Sequence, residues 1–295
     1  MVATALGVSE SSLKRWVDSG RLVATKTEGG HRKIAVAEAL RFVRETNAPL
    51  ARPELLDLPA ETRTKASTSK IDATTEPELL SILLRGDATA ARAWLVGCYL
   101  DGIAIAELAD GPIRTAMEAI GELWRHDEAG IFIEHRGTDC CLQAVAYLRT
   151  LAEQASSHPS VATRSKPRVA VGGAPEDDPY LLPTFLVASV AASAGMRAVN
   201  LGPSTPVHAF EAAIAEHKPS LVWLSLSTPV PSTRIGELAA FIARVSPKIT
   251  VALGGRASNA VLNARIHGGY GAPLVREQKN VRVCDSMSAF GALAK

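Results

Sequence analysis

The 295-residue chain lacks several features that define common classes of protein. No apolar run reaches the roughly 18 residues that a membrane-spanning helix needs. No signal peptide precedes the first polar helix, which predicts a cytoplasmic location. The four cysteines form no CxxC pair and are typical of reduced core thiols. No Ser/His/Asp set, phosphate-binding loop or zinc spacing is found, so we expect neither an enzyme nor a metal site.

Apolar content and an uneven charge distribution are what the chain does have. Hydrophobic residues make up 47% of it, enough for packed cores, and 295 residues predict two or three domains. The net charge of +2 implies no polyanionic partner by itself. Residues 1–46, however, hold 8 Lys or Arg against 5 Asp or Glu, so the amino-terminal segment is locally basic.

The first 18 residues predict a helix, a tight turn and a second helix. Gly7 makes the turn, Ser9 is a good N-cap, and the apolar residues of the second helix fall on one face. The opposite face would carry Ser11, Ser12, Lys14 and Arg15. Short polar side chains and two bases suit a helix that enters a DNA major groove.

A glycine-turned hairpin with a basic tip follows the two helices. It would set His31, Arg32 and Lys33 against phosphates. The strings Leu-Lys-Arg-Trp at 13–16 and Gly-Gly-His-Arg at 29–32 make this segment resemble the winged helix-turn-helix of MerR-family regulators. A single basic helix is more often a solvated face, but helix, turn, helix and basic wing together favour binding to double-stranded DNA by residues 1–46.

Two further segments precede the last domain. Residues 47–75 are poor in aromatics and have no sustained apolar period, which predicts a flexible linker that lets the head move independently. Residues 76–155 have helical periodicity with short turns, which predicts a bundle of about four helices.

Residues 167–295 alternate short apolar strands with helical segments. We predict strands near 168–172, 197–201, 220–226, 249–253 and 281–284, and helices near 180–194, 206–217, 232–245, 257–263 and 286–294. Five alternating strand–helix units match a flavodoxin-like, doubly wound parallel α/β sheet. The expected architecture is therefore a winged helix-turn-helix, a four-helix bundle and an α/β domain, in that order.

Residues after the predicted strands resemble the cobalamin-binding motif of B12-dependent methionine synthase and mutase domains, Asp-x-His-x-x-Gly, Ser-x-Leu and Gly-Gly. The segment 178–183, which begins with Asp178, occupies the first position; Ser225 and Ser227 follow after 41 intervening residues, and Gly254 and Gly255 after 26 more. The resemblance implies that these serines and glycines hold the cofactor's nucleotide tail, although a glycine pair at a strand end is also a common tight turn. The position of the cobalt-ligating His holds Tyr180, and the motif's Gly is Pro183. A neutral phenol is a poor substitute for imidazole.

One string in the bundle carries a second resemblance. Trp124 is followed by nine residues and then by Glu134 and His135, which resembles the signature of CarH/LitR-type photoreceptors. These are MerR-type repressors that sense light with adenosylcobalamin, and the resemblance implies that the three side chains surround the adenosyl group. Some members place a cobalt-capturing His directly after the Trp, where this chain has Arg125. Without the other segments, these residues would be more often packing and a surface pair.

We therefore expect a DNA-binding regulator whose bundle and α/β domain sense a ligand and control oligomerisation and operator binding, and the resemblance implies light as a second signal. The resemblance implies cobalamin, while the missing His leaves a bilin, haem or no ligand as alternatives. The expected partners are double-stranded DNA and further copies of the chain, as a homodimer or homotetramer, and no membrane. Two alternative functions are a corrinoid carrier that serves a methyltransferase and a ligand-free regulator that works by oligomerising.

Overall fold

The computed structural model describes residues 1–26, 32–63, 75–123, 129–156, 166–266 and 272–295. The chain forms two compact units, Met1–Arg164 and Ser165–Lys295. Each unit has its own core and is described by itself. Among the described residues, no helix is both long enough and apolar enough to cross a membrane.

The first unit begins with three short helices and a hairpin. These elements are α1 Val2–Ala5, α2 Glu10–Asp18, β1 Thr25–Lys26, β2 Arg32–Lys33 and α3 Val36–Thr46. Gly7 turns the chain between α1 and α2 with a φ of +65°, a conformation that favours glycine. Ser9 caps α2, because its hydroxyl accepts a hydrogen bond from the Ser12 amide at 3.2 Å. β1 and β2 pair antiparallel.

A buried carboxylate holds α3 against the chain that follows α2. Glu38 is 0% exposed. Its Oε1 accepts a hydrogen bond from the Val23 amide at 2.7 Å, and its Oε2 accepts one from Arg41 Nε at 2.7 Å. The guanidinium of Arg41 supplies the positive charge that a carboxylate buried away from water needs as a partner.

The described part of the expected linker is ordered and packed, so the prediction of a flexible segment is wrong for residues 47–63. Pro53–Leu56 forms a 3₁₀ turn, Leu56 and Leu58 are buried, and Tyr147 donates a hydrogen bond to the Asp57 carbonyl at 2.6 Å. Apolar side chains in an aperiodic segment can anchor it as firmly as those of a helix. The rest of the expected linker, 64–74, lies outside the described residues.

Helices make up the remainder of the first unit. They are α4 Thr75–Arg85, α5 Ala88–Leu100, α6 Ile105–Leu108, a π-helical turn at Ala109–Ile113, α7 Arg114–Leu123 and α8 Ala129–Ser156. The helices α5 and α8 pack against each other along their lengths. Gly97 allows the chain at Arg63 to cross α5, because a Cβ there would lie 2.3 Å from the Arg63 carbonyl oxygen.

One hydrophobic core joins the amino-terminal elements to α5 and α8. Leu6, Phe42 and Leu56 share it with Val96 and Leu151. The amino-terminal elements are therefore packed on the longer helices, and the expectation of an independently moving head is not met by residues 1–63.

The second unit is a five-stranded parallel sheet with helices on both faces. Its elements are β3 Val169–Gly173, α9 Leu181–Ser193, β4 Arg197–Asn200, α10 Val207–His217, β5 Leu221–Ser225, α11 Ser232–Val245, β6 Thr250–Gly254, α12 Ser258–Leu262, β7 Val281–Cys284 and α13 Met287–Ala294. The strand order is β4-β3-β5-β6-β7. All neighbouring strands are parallel. The flavodoxin-like sheet expected from the sequence is thereby confirmed, with strand limits within two residues of the prediction.

Alternation along the strands divides the second unit into two layers. Val222 and Leu224 of β5 and Val251 and Leu253 of β6 lie in the core under α10, α11 and α12. Trp223 points to the other face, where it contacts α9 and α13. The carboxyl ends of β3, β5 and β6 meet at one edge, where ligands bind in sheets of this kind.

Candidate functional site

Helix α2 exposes the basic face that the sequence predicts. Ser11, Lys14 and Arg15 are exposed, while Leu13 and Trp16 pack against the amino-terminal core. Ser12 differs from the prediction. It is half-buried, and its hydroxyl accepts a hydrogen bond from Ser9 at 3.0 Å, so it belongs to the helix cap. The outward polar face is therefore narrower than expected.

The hairpin places two more basic residues beside α2. Arg32 and Lys33 are exposed on β2, and Arg32 forms an ion pair of 2.6 Å with Asp18 at the end of α2. This pair joins the hairpin to the end of α2, so the two basic surfaces lie beside each other. His31 lies outside the described residues.

Glu134 and His135 lie near the start of α8. His135 has a side chain that is 75% exposed, and its Nε2 is 3.6 Å from Glu134 Oε2. Thr138 donates a hydrogen bond to Glu134 at 3.0 Å. Trp124 and Arg125, which were expected to join this pair, lie outside the described residues.

Three large apolar side chains are exposed at the end of α7 and near the start of α8. Ile131 is 49% and Phe132 63% exposed on α8, and Leu123 is 42% exposed at the end of α7. The guanidinium of Arg136 lies 4.9 Å from the centre of the Phe132 ring. Large apolar side chains exposed on α7 and α8 are candidates for a surface that binds a ligand or a partner.

Asp178 ties together the loops at the carboxyl edge of the sheet. It is 3% exposed, and its Oδ2 accepts hydrogen bonds from the amides of Ser227 at 2.5 Å and Thr228 at 3.2 Å. Its Oδ1 accepts a third from the Tyr180 amide at 3.2 Å. The carboxylate thus connects the loop after β3 to the loop after β5.

Arg234 of α11 holds the same loop from outside. Its guanidinium pairs with Glu176 at 2.6 Å, Asp177 at 3.5 Å and Glu237 at 3.1 Å. The hydrogen bond to Glu237, with the nearby carboxylates, raises the pKa of Arg234. A shallow surface depression lies here between Pro175, Glu176 and Arg234. The loop is therefore fixed at both of its sides.

Tyr180 stands at the start of α9 with its ring in solvent. It is 45% exposed, and the next residue, Leu181, is 37% exposed. Tyr180 is the N-cap residue of α9 but its side chain makes no capping hydrogen bond. The residue that replaces the expected histidine is thus presented outward at the sheet edge.

The serines and glycines of the motif come together as predicted. Ser225 is 5% exposed at the end of β5, and it pairs in register with Gly254 of β6. Gly255 has a φ of +99°, and a Cβ there would lie 2.2 Å from the Leu226 carbonyl oxygen. Gly255 therefore has a structural reason to be glycine, whatever ligand it contacts.

Trp223 is a site residue that sequence reasoning missed. It is 1% exposed, and its Nε1 donates a hydrogen bond to Thr184 Oγ1 at 2.9 Å. The Thr184 hydroxyl in turn donates to Asn200 Oδ1 at 3.0 Å. The one signal in the sequence is a tryptophan two positions before Ser225, which alternation places on the same face of the strand.

Comparison with known proteins supports a corrinoid-related architecture. Residues 76–149 match the family model described as the B12 binding domain, which is about a quarter of the chain and covers α4 to most of α8. A search of the curated proteins found no match. The helical part of the chain, over residues 76–149, is therefore similar to a B12 binding domain.

Several solved structures are similar to this chain. The monomethylamine corrinoid protein of Methanosarcina barkeri has a TM-score of 0.52 at 13% identity, with 76% of this chain and 98% of that chain covered. A methanol:cobalamin methyltransferase complex of the same organism has a TM-score of 0.38 at 16% identity, with 83% and 88% covered. A cobalamin-binding protein of Desulfitobacterium hafniense has a TM-score of 0.35 at 16% identity, with 73% of this chain and 95% of that chain covered. The first of these likenesses shows a common fold.

The described motif residues at the sheet edge do not fit a corrinoid whose cobalt takes a protein ligand there. Tyr180 offers a phenol in place of imidazole. The carboxylate of Asp178 is already engaged by three backbone amides. Within the described ranges, no group of three or more His, Cys, Asp or Glu could hold a metal ion. A ring bound at this edge would be held by shape, apolar contact and hydrogen bonds.

Proposed function

We propose that this chain is a DNA-binding transcription regulator whose B12 binding domain and α/β unit bind a corrinoid or a related tetrapyrrole. The observation that carries the proposal is the exposed basic face of α2, with Lys14 and Arg15, fixed beside the basic strand β2. An enzyme or carrier has no need of this surface, whereas a helix with a basic wing suits the DNA major groove and its phosphates.

Packing within the first unit supports a regulatory role. The core that holds α2 and α3 also contains Val96 of α5 and Leu151 of α8. A ligand that shifts α5 or α8 would therefore move the DNA-contacting helix without an intervening flexible tether. Occupancy of the helical domain then changes the affinity for DNA, and by linkage DNA changes the affinity for the ligand by the same factor.

Self-association completes the proposal. A single head of this size offers few contacts, and paired half-sites raise both affinity and specificity. We propose a homodimer or homotetramer in which ligand, and light in the manner of the CarH/LitR-type photoreceptors, changes the assembly. The exposed apolar residues Leu123, Ile131 and Phe132 are a surface that such an assembly or a ligand could cover.

A second candidate function is a corrinoid carrier. The match of residues 76–149 to the B12 binding domain and the fold shared with a corrinoid protein favour it directly. Tyr180 in place of an imidazole counts against a carrier that must hold cobalt while it exchanges ligands. The carrier function also leaves the basic face of α2 without a purpose.

A DNA-binding measurement tests the main proposal. We expect the full chain to shift duplex DNA from its own promoter and the double variant Lys14→Ala, Arg15→Ala to lose at least about tenfold in affinity at equal salt. The matched control replaces Lys248 and Lys279 by Ala, because both are exposed lysines of the second unit and the charge change is the same. Equal loss in both double variants would mean nonspecific electrostatics and would contradict the proposal.

Spectra separate the two candidate functions. Protein mixed with adenosylcobalamin, biliverdin or haem is desalted, and its spectrum and light scattering are recorded in the dark and after illumination. The regulator function requires that a retained ligand changes DNA affinity or assembly. Retention of a corrinoid by a chain that never binds DNA would support the carrier instead.

A further inference from the structure

On the face of the sheet under α9 and α13, one row of residues has small, large and small side chains on three neighbouring strands. Gly172 of β3 pairs in register with Trp223 of β5, and Trp223 pairs with Ala252 of β6. In the next row toward the carboxyl edge, Ser225 pairs with Gly254. Alternation places all five residues on one face of the sheet. Trp223 is the large side chain among them, and it separates the open edge from the interior.

The indole of Trp223 is built tightly into this layer. A Cβ on Gly172 would lie 2.2 Å from indole Cδ2, so the neighbouring strand must carry glycine for the ring to fit. Phe290 of α13 meets the ring edge-on, with centroids 6.4 Å apart. The indole N–H is satisfied by Thr184. The indole of Trp223 therefore fills the layer, and its N–H has a hydrogen-bond partner.

Without the indole, the same residues would line a slot. Its floor would consist of Gly172, Ala252 and Gly254, which present almost no side chain, and its mouth would lie beside Ser225. Thr184 would keep its hydrogen bond to Asn200, and its hydroxyl oxygen would lose the indole N–H that it accepts from. Such a slot suits a flat bicyclic base with a nitrogen that can hydrogen-bond, and an indole has nearly the size and shape of the benzimidazole that ends the nucleotide tail of cobalamin.

We propose that Trp223 is a specificity residue that occupies the place of this base, so that the α/β unit takes a corrinoid with its nucleotide tail outside the sheet–helix layer. This inference rests on the proposed corrinoid binding. Tyr180 is consistent with it, because a chain without an imidazole at the sheet edge supplies nothing to replace the benzimidazole on cobalt. The unit then recognises the corrin ring and not the tail.

The experiment compares aquacobalamin with aquacobinamide, which has the ring and lacks the nucleotide. We expect the full-length wild-type chain to bind both with affinities that differ by less than about tenfold, because the tail contributes no buried area. In Trp223→Ala the slot is opened, and we expect preference for cobalamin over cobinamide to rise by at least about tenfold. Trp223→Phe keeps a ring in the layer and serves as the matched control, with a preference like that of the wild type.

Each outcome decides between the inference and the proposed function. A wild-type preference for cobalamin well above tenfold would overturn the inference and leave the proposed corrinoid binding intact. Binding of neither compound by wild type and Trp223→Ala would overturn both. If Trp223→Ala does not fold, as judged by near-ultraviolet circular dichroism, Trp223→Leu replaces it. The ratio of the wild-type affinities for aquacobalamin and aquacobinamide remains decisive in either case.

Discussion

The Ser227 amide donates a hydrogen bond of 2.5 Å to Asp178 Oδ2, and this contact joins the loop after β3 to the loop after β5. Asp178 occupies the first position of the cobalamin-like motif and Ser227 the second. In this structure the carboxylate satisfies backbone amides, so the motif residues stabilise the sheet edge on which the ligand would rest. Substitution of these motif residues should therefore first lower the free energy of unfolding.

We expect Asp178→Ala to destabilise the α/β unit by about 2–4 kcal/mol, because three backbone amides lose the buried, charged acceptor that they share. Hydrogen exchange of the peptide containing Ser227 and Thr228 should accelerate first. Asp177→Asn is the control, because Asp177 is exposed and Asn tolerates its φ of +72°. Unchanged exchange in Asp178→Ala would show that water replaces the carboxylate without cost.

The glycines of the motif can be tested for their structural role in the same way. We expect Gly255→Ala to cost at least about 2 kcal/mol, because its φ is +99° and a Cβ would collide with the Leu226 carbonyl. Gly236→Ala is the matched control in α11, where a Cβ meets nothing within 4 Å. It should stabilise the protein by about 0.5–1 kcal/mol. Calorimetry measures both, and equal melting of the two variants would refute the strain argument.

Buried thiols predict a loss of stability at alkaline pH. Burial raises the pKa of Cys141 to about 12 and that of Cys284 to about 11, from 9.0. The unfolded chain loses these protons near its ordinary pKa while the folded chain keeps them. The thiols' contribution is therefore complete below pH 9 and declines as pH rises toward 11 and 12, by about 1.4 kcal/mol per thiol and pH unit.

The measurement is chemical unfolding at several pH values from 8 to 10.5. The double variant Cys141→Ala, Cys284→Ala should show a shallower decline than the wild type above pH 9, while the other alkaline groups act equally in both proteins. In the native state at pH 8, we also expect these two thiols to react slowly with a thiol reagent. Parallel declines in the two proteins would argue against the raised pKa values.

The sequence predicted the sheet well because local signals coincide there. Short β-branched runs such as Val169–Gly173 end in glycine or serine, and each is followed by a helical period, so strand, turn and helix all indicate the same fold. The meeting of Ser225 with Gly254 also follows, since parallel strands bring their carboxyl ends together.

Other features could not be predicted because they depend on contacts between distant segments. The leucines at 55–58 have no helical or strand period, and their burial depends on helices that lie much later in the chain. Trp223 resembles any apolar residue of a buried strand until Gly172 and Thr184 show which volume it fills. Arg234 is about 60 residues from the loop that it holds.

Arg44 should control the connection between the amino-terminal elements and α5. It reaches from α3 to the end of α5, where it donates to the carbonyls of Tyr99, Gly102 at 3.2 Å and Ile103 at 3.1 Å. Its guanidinium also lies 4.0 Å from the centre of the Tyr99 ring. Burial lowers the pKa of Arg44 and raises that of Tyr99, as expected for groups removed from water.

We expect Arg44→Ala to destabilise the first unit by about 2–3 kcal/mol, because carbonyls at the end of α5 lose a charged donor. Arg44→Lys should recover only part of the lost stability, since an ammonium lacks the planar fork with which a guanidinium reaches several carbonyls. Arg52→Ala is the control, because Arg52 and Glu54 form an exposed pair that contributes at most about 1 kcal/mol.

Hydrogen exchange read separately on peptides from α2 and α5 locates the effect. In the wild type both peptides should exchange together, because they share one core, and in Arg44→Ala the α2 peptide should exchange faster. If α2 already exchanges much faster than α5 in the wild type, the two are not one cooperative unit, and a ligand in the helical domain could not move α2, the proposed DNA-contacting helix, by this route.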